Sequence, residues 1–241
     1  SIRTNMPFVR QIHLIVSSIS QIPSWIDKKD INVVLHEDFI PEQFLPTFNS
    51  TTIEMFLHKI PNLSDMFIYF NDDILVNKLC DKNSFFKNNR CNLKSTAKQS
   101  TCLDTIYKNN CMNNTNVIYK LLGIKKDKYL LRYYNHACTP LYRPLCEKLY
   151  NELKHEIHNS ITTFRSEKNF NQYLYALYLE MIGFTSFKCV SSYYTQIDTF
   201  NINTNYNSDI LCINDFVKID DDEIFVKHKI IEEFMILANC T

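Results

Sequence analysis

Glycine is almost missing from this 241-residue chain, which has two, Gly123 and Gly183. Neither belongs to a G-x-G-x-x-G or a G-x-x-x-x-G-K-[ST] loop, the backbone devices with which dinucleotide oxidoreductases and P-loop kinases cradle phosphate. Both classes are disfavoured, and a bound nucleotide has to be held by side chains, helix ends or a metal. An excess of charge is missing too. Lys plus Arg and Asp plus Glu each number 26, and no basic stripe with interleaved aromatics marks a nucleic-acid track. Nucleic acid is therefore not an expected partner, whereas a small charged ligand held by a few side chains is. The longest apolar runs, such as Ile12 to Val16, fall far short of a bilayer span, and no signal segment opens the chain. Membrane association is expected only through segments that this chain lacks.

No C-x-x-C pair occurs among the nine cysteines, which argues against a structural zinc site. Cys80, Cys91, Cys102 and Cys111 cluster in a polar stretch, where local disulfides are expected if the compartment is oxidising. The odd count leaves at least one thiol unpaired or intermolecular. Glycosylation sequons at Asn49, Asn62, Asn113 and Asn239 carry little weight in so asparagine-rich a chain.

What is present can build a core: 45% of residues are hydrophobic and 13% aromatic, ordinary for one α/β domain of this length. Short apolar strands alternate with polar turns at Gln11 to Val16, Asn32 to Leu35 and Met66 to Phe70, with a helix predicted over Thr51 to Lys59. That rhythm predicts an α/β fold with a mostly parallel sheet flanked by helices. Pro41 and Pro46 make His36 to Ser50 a loop over the strand ends. From Asn77 to about Asn116 the composition turns to Lys, Asn, Ser and Cys, which reads as an irregular, variable insertion or lid. Helical patterns then run from Pro140 to Leu153 and from Lys168 to a stop at Gly183. A strand is expected over Lys188 to Tyr194, a short one over Asp209 to Ile213, and a final helix over Asp221 to Leu237.

One device appears twice: Phe70-Asn71-Asp72-Asp73 and Ile213-Asn214-Asp215 each place Asn-Asp directly after an apolar strand. Ligands collect at the carboxyl ends of strands in α/β folds, and neighbouring carboxylates with an amide can hold a divalent cation through oxygen. Asn-Asp is also ordinary turn chemistry. His136 lies in Tyr134-Asn135-His136-Ala137-Cys138-Thr139-Pro140, where it can act as a base or face an anion; a solvated or structural histidine is the alternative. Arg165 precedes a helix, and its guanidinium suits phosphate, although spacing alone favours an ion pair with Glu167.

Several segments together resemble a known family. The run Asn5-Met6-Pro7-Phe8-Val9-Arg10, then Gln21-Ile22-Pro23-Ser24-Trp25, His36-Glu37-Asp38, Leu45-Pro46-Thr47-Phe48-Asn49-Ser50, Ile53-Glu54, His58 and Phe67-Ile68-Tyr69-Phe70-Asn71-Asp72-Asp73 closely resembles the second conserved region of the Stealth family of sugar-1-phosphate transferases. These include bacterial capsular polysaccharide phosphotransferases and the catalytic subunit precursor of the lysosomal-enzyme N-acetylglucosamine-1-phosphotransferase. His136 with Pro140, then Phe164-Arg165-Ser166-Glu167, looks like the third region, and Leu211-Cys212-Ile213-Asn214-Asp215 like the fourth. The stretch from Asn77 to about Tyr129 carries no motif. The family's first region, a strand ending in a Trp-Val-Asp type motif, is expected upstream of Ser1, so the chain is expected to be a fragment lacking one acid of the site.

The resemblance implies a single catalytic-type domain over residues 1–241 with a Rossmann-like, glycosyltransferase-type core. It implies transfer of a sugar-1-phosphate from a nucleotide sugar, a UDP-sugar such as UDP-GlcNAc, to a hydroxyl of a glycan acceptor, with release of the nucleoside monophosphate. On this view Asp72, Asp73 and Asp215 surround Mg2+ or Mn2+, and Arg165 binds the phosphates. His136 is base or phosphate contact, Asn71 and Asn214 support, and Thr47, Asn49, Ser50 and His58 line the pocket, with a satisfied helix histidine as the alternative for His58. The setting is the Golgi or secretory pathway in a eukaryote, or the cytoplasmic face of the inner membrane for a capsule enzyme. A metal-dependent glycosyltransferase and an inactive sugar-binding fragment are the competing readings.

Overall fold

The computed structural model describes residues 1–27, 29, 31–99, 105–125, 130–186, 189–197 and 199–214. A short helix α1 (Ile2–Asn5) leads into two parallel strands, β1 (Ile12–Val16) and β2 (Ile31–Leu35), paired in register from Ile12 with Ile31 to Val16 with Leu35. The segment after β2 runs through two single turns of 3-10 helix into α2 (Ser50–Met55). Asn49 caps that helix by accepting the Thr51 N–H on its side chain, the usual remedy for orphan donors at a helix start. A further 3-10 turn, Leu57–Lys59, completes the stretch expected to be one helix.

Strand β3 (Met66–Tyr69) and the fully buried β4 (Ile74–Val76) are separated by the turn that holds Asn71, Asp72 and Asp73. A hairpin of β5 (Phe86–Lys87) and β6 (Arg90–Asn92) follows. Asn88 and Asn89 both have positive φ, as its two-residue turn requires. Then come β7 (Thr96–Gln99), the 16-residue α3 (Ile106–Leu121), β8 (Leu130–Tyr133), β9 (Thr139–Tyr142), α4 (Arg143–Glu152), α5 (Lys154–Ser160), α6 (Tyr173–Met181), β10 (Thr185–Ser186), β11 (Ser192–Gln196) and β12 (Ile210–Asn214).

The fold is mixed α/β, but the expected mostly parallel sheet is broken into small ones. β11 pairs parallel with β12, whose other edge takes β4 antiparallel. β3 joins β9 antiparallel, with Ile68 opposite Pro140. Here the helix expected from Pro140 is corrected: the run Thr139-Pro140-Leu141-Tyr142 is a strand, and α4 begins at Arg143 with Pro144 in its first turn. Proline lacks a ladder donor and tolerates a strand with one partner and a helix's first turn alike. β3 is half-buried along its length rather than covered on both faces.

The stretch from Asn77 onward also departs from expectation. It contains strands and α3, and Cys80, Phe85, Phe86, Cys91, Leu93, Ile118 and Tyr119 belong to the main core. That core surrounds α6, in which every residue from Tyr173 to Leu179 is buried; a helix apolar on all sides belongs inside. Gly183, with φ +74°, ends the α6 segment as predicted. The predicted helix over Asp221 to Leu237 lies outside the described residues. Cys80, Cys91, Cys111, Cys138, Cys146 and Cys212 are free and buried, and Cys189 is free and exposed. The expected disulfides among Cys80, Cys91 and Cys111 are therefore absent among the described residues; Cys102 lies outside them.

Candidate active site

Three chain segments converge on one carboxylate. The β3–β4 turn carries Asp73, the loop between β8 and β9 carries His136, and the end of β12 carries Cys212 and Asn214. The backbone ties these together: Ile213 N–H donates to Asp73 O at 2.9 Å, so the turn continues the β4–β12 pairing. Around Asp73 Oδ2 stand His136 Nε2 at 3.3 Å, Cys212 Sγ at 3.2 Å and Asn214 Nδ2 at 3.3 Å. Asn71 Nδ2 lies 3.4 Å from the same His136 nitrogen. The Tyr194 ring, from β11, is tilted over the imidazole with centroids 5.9 Å apart.

Burial by itself would favour a protonated Asp73. The hydrogen bond and charge of His136, with hydrogen bonds from Cys212 and Asn214, outweigh it and hold the carboxyl below its ordinary range. Cys212 moves the other way, because burial and the neighbouring Asp73 charge keep it a thiol that donates. Asp73 is thus an anion held against His136 Nε2.

A second cluster sits at the start of α2. Arg165 Nη2 donates to Ser50 Oγ at 2.8 Å. The loop bearing Arg165 is held by amides. Asn49 Nδ2 donates to Thr162 O at 3.1 Å, Phe164 O at 3.3 Å and Asn169 Oδ1 at 3.1 Å. From α3, Asn110 donates to Ser166 O at 2.9 Å and Asn113 to Glu167 O at 2.8 Å. The chain region read as an insertion therefore braces the loop that presents Arg165.

Glu54 lies within electrostatic reach of Arg165 and His136, and nothing in residue type or spacing gave it a role. It is 4% exposed and accepts the Gln172 N–H at 2.8 Å and the Tyr69 hydroxyl at 3.3 Å. Burial pushes its pKa up to about 7 against the opposing pull of Gln172, the Arg165 charge, Tyr69 and the His136 charge. An acid flanked by Ile53 and Met55 on a short, largely buried helix was the available signal.

The remaining expected residues divide plainly. Asn71, Asp73, His136 and Asn214 come together; Arg165 and Ser50 meet each other; Asp72 is exposed on the Asp73 turn. Thr47 and Asn49 are buried, with Thr47 Oγ1 accepting the Asn49 N–H at 3.3 Å, so both shape the loop rather than face a ligand. His58 is a core histidine packed between Tyr150 and Tyr175 at centroid distances of 4.6 and 6.0 Å. Burial, with the charges of Lys59 and Arg143, lowers its pKa to about 3. Asp215 lies outside the described residues.

The expected cation was an oxygen-bound one, and Asp73 fits it in one respect. Its Oδ1 is buried without a hydrogen-bond partner among the described residues, a costly condition for an anionic oxygen that a hard cation relieves. Asp73, His136 and Cys212 also bring one ligand atom each within 4.8 Å of one another, a mixed O, N and S set better suited to a transition ion than to magnesium.

Residues 1–94 match the family model described as Stealth protein CR2, conserved region 2. The chain carries a Stealth region. Its similarity to relatives runs well beyond that region. It is 34% identical over 221 residues to a capsular polysaccharide phosphotransferase of Haemophilus influenzae, covering 86% of this chain and 58% of that protein. A capsular polysaccharide phosphotransferase of Actinobacillus pleuropneumoniae is 32% identical over 217 residues, covering 83% and 57%. One from Neisseria meningitidis serogroup B is 29% identical over 251 residues, covering 92% and 65%. The chain spans less than two thirds of the length of these relatives.

Proposed function

We propose that this Stealth chain forms part of a capsular-type phosphotransferase that moves a sugar-1-phosphate from a nucleotide sugar to a hydroxyl of a glycan. The observation that carries the reading is the contact of Asp73 Oδ2 with His136 Nε2 at 3.3 Å. An ionised carboxylate behind an imidazole is the arrangement that takes a proton from a hydroxyl. The acceptor oxygen attacks the β-phosphorus while its proton passes to His136. The bond from that phosphorus to the bridging oxygen breaks, and its electron pair leaves with the nucleoside monophosphate. Arg165, steadied by Ser50, holds the phosphate oxygens as charge gathers on them. Glu54 fixes Tyr69 and the start of the α6 segment. A Mg2+ or Mn2+ ion, if used, would be held by Asp73 Oδ1 with Asp72, and would supply charge neutralisation on the pyrophosphate. The bacterial relatives favour capsule assembly over lysosomal-type tagging.

Product analysis tests the reading. With UDP-N-acetylglucosamine, magnesium and a glycan acceptor, release of uridine monophosphate is expected from this chain or from the protein that contains it. Release of uridine diphosphate would make it a glycosyltransferase, and release of neither would leave a sugar-binding module.

A further inference from the structure

Phe48 and Phe164 are 69% and 67% exposed, yet their rings are stacked, with centroids 5.5 Å apart and planes 15° from parallel. Single exposed apolar residues are common, but a rigid pair of them in water needs a reason. The pair is rigidly mounted. Phe48 N–H donates to Thr163 O at 2.9 Å, and the Asn49 amide, 0% exposed, grips the Thr162 and Phe164 carbonyls from beneath. Thr52 Oγ1 adds a bond to Thr162 O at 3.0 Å. The polar groups of the mount are turned inward and satisfy one another. What remains facing a ligand is ring surface, with the Arg165 and Ser50 side chains one and two residues away along the two loops.

The geometry points to an open stacking platform for a sugar ring of the acceptor glycan, built by Phe48 and Phe164. This rests on the phosphotransfer reading for the identity of the acceptor. A pyranose offers a flat face of C–H groups that buries apolar area against an aromatic ring while its hydroxyls stay in water. Rings two-thirds exposed enclose nothing, which suits one residue of a longer chain passing over the surface. A nucleobase site would in addition need groups to read the base edge, and the nearby amides are already spent on the loops.

The test is saturation-transfer NMR of the N-acetylglucosamine tetramer and of uridine monophosphate, each added separately to the wild-type chain and to the Phe48→Ala/Phe164→Ala variant. Both side chains are exposed, so the double variant is expected to fold, and circular dichroism checks that it does. Saturation of the sugar ring protons is expected in the wild type and should weaken about tenfold in the variant, with the uridine signals unchanged. Phe164→Trp should retain the sugar signal. No sugar saturation in the wild type, no difference between the proteins, or a loss confined to uridine each overturns the platform. None of these readouts requires turnover, so a protein that releases no uridine monophosphate would defeat the catalytic reading without touching this one.

Discussion

Asp73 reaches His136 from a different strand turn, and the carboxylate oxygen that meets the imidazole also receives Cys212 and Asn214. Three donors on one oxygen keep the aspartate ionised despite its burial, so the charge behind His136 persists at neutral pH.

Asp73→Asn keeps the shape and removes that charge. Nucleoside monophosphate release should fall by about 10²-fold or more at saturating substrate, the scale of a general-base contribution, while the far-UV spectrum stays unchanged. Wild-type turnover in this variant would take Asp73 out of the chemistry.

Arg165 is expected to act on the donor rather than on folding, since it is exposed and its partner is Ser50. Arg165→Ala should lower kcat by about 10²-fold, as for loss of one charge-stabilising donor. Arg165→Lys, which keeps the charge but not the fork, should recover only part of it. Steady-state kinetics in the donor decide the matter.

Glu54 makes a prediction about pH. Its folded pKa, about 7, lies above the ordinary 4.5, so the fold prefers the protonated acid. Its stabilising contribution is complete below pH 4.5 and is lost as pH rises through 7, amounting to about 3 kcal/mol across that window. Thermal midpoints of the wild type should therefore decline between these pH values relative to Glu54→Gln, in which the group cannot ionise. Parallel curves for the two proteins would contradict the raised pKa.

His58 should behave as a core residue. His58→Ala is expected to cost about 2–4 kcal/mol in denaturant unfolding, the range for emptying a buried aromatic-sized site, with kcat per folded molecule unchanged. The wild type should lose stability as pH falls from about 6.5 towards 3, because the fold holds this imidazole neutral. A proportionate loss of kcat would return His58 to the substrate pocket.

Much of the scaffold was legible because its signals are local. The apolar runs of β1, β2 and β3 appear within a residue or two of their expected bounds, and the α6 segment stops at Gly183. Pairing was not legible: nothing in Met66 to Phe70 says that its partner is Thr139–Tyr142, whose Leu141 is in phase with the leucines of α4 and hides the strand inside a helical pattern. The buried asparagines of α3 misled for a related reason, since Asn110 and Asn114 look like solvent-facing residues until the loop they hold is known. Among the candidate residues, Asn71, Asp73 and Asn214 stood out by their placement after strands and His136 by its residue type, and folding brings these four together. Glu54 and the burial of Asn49 depend on packing that spacing does not record.

The distribution of thiols has a practical consequence. Cys189 is open to solvent whereas Cys80, Cys91, Cys111, Cys138, Cys146 and Cys212 are sealed inside. An alkylating reagent should mark Cys189 at once and reach those six only as the interior opens. Their labelling rate then serves as a native clock of conformational opening, one that runs without an added fluorophore.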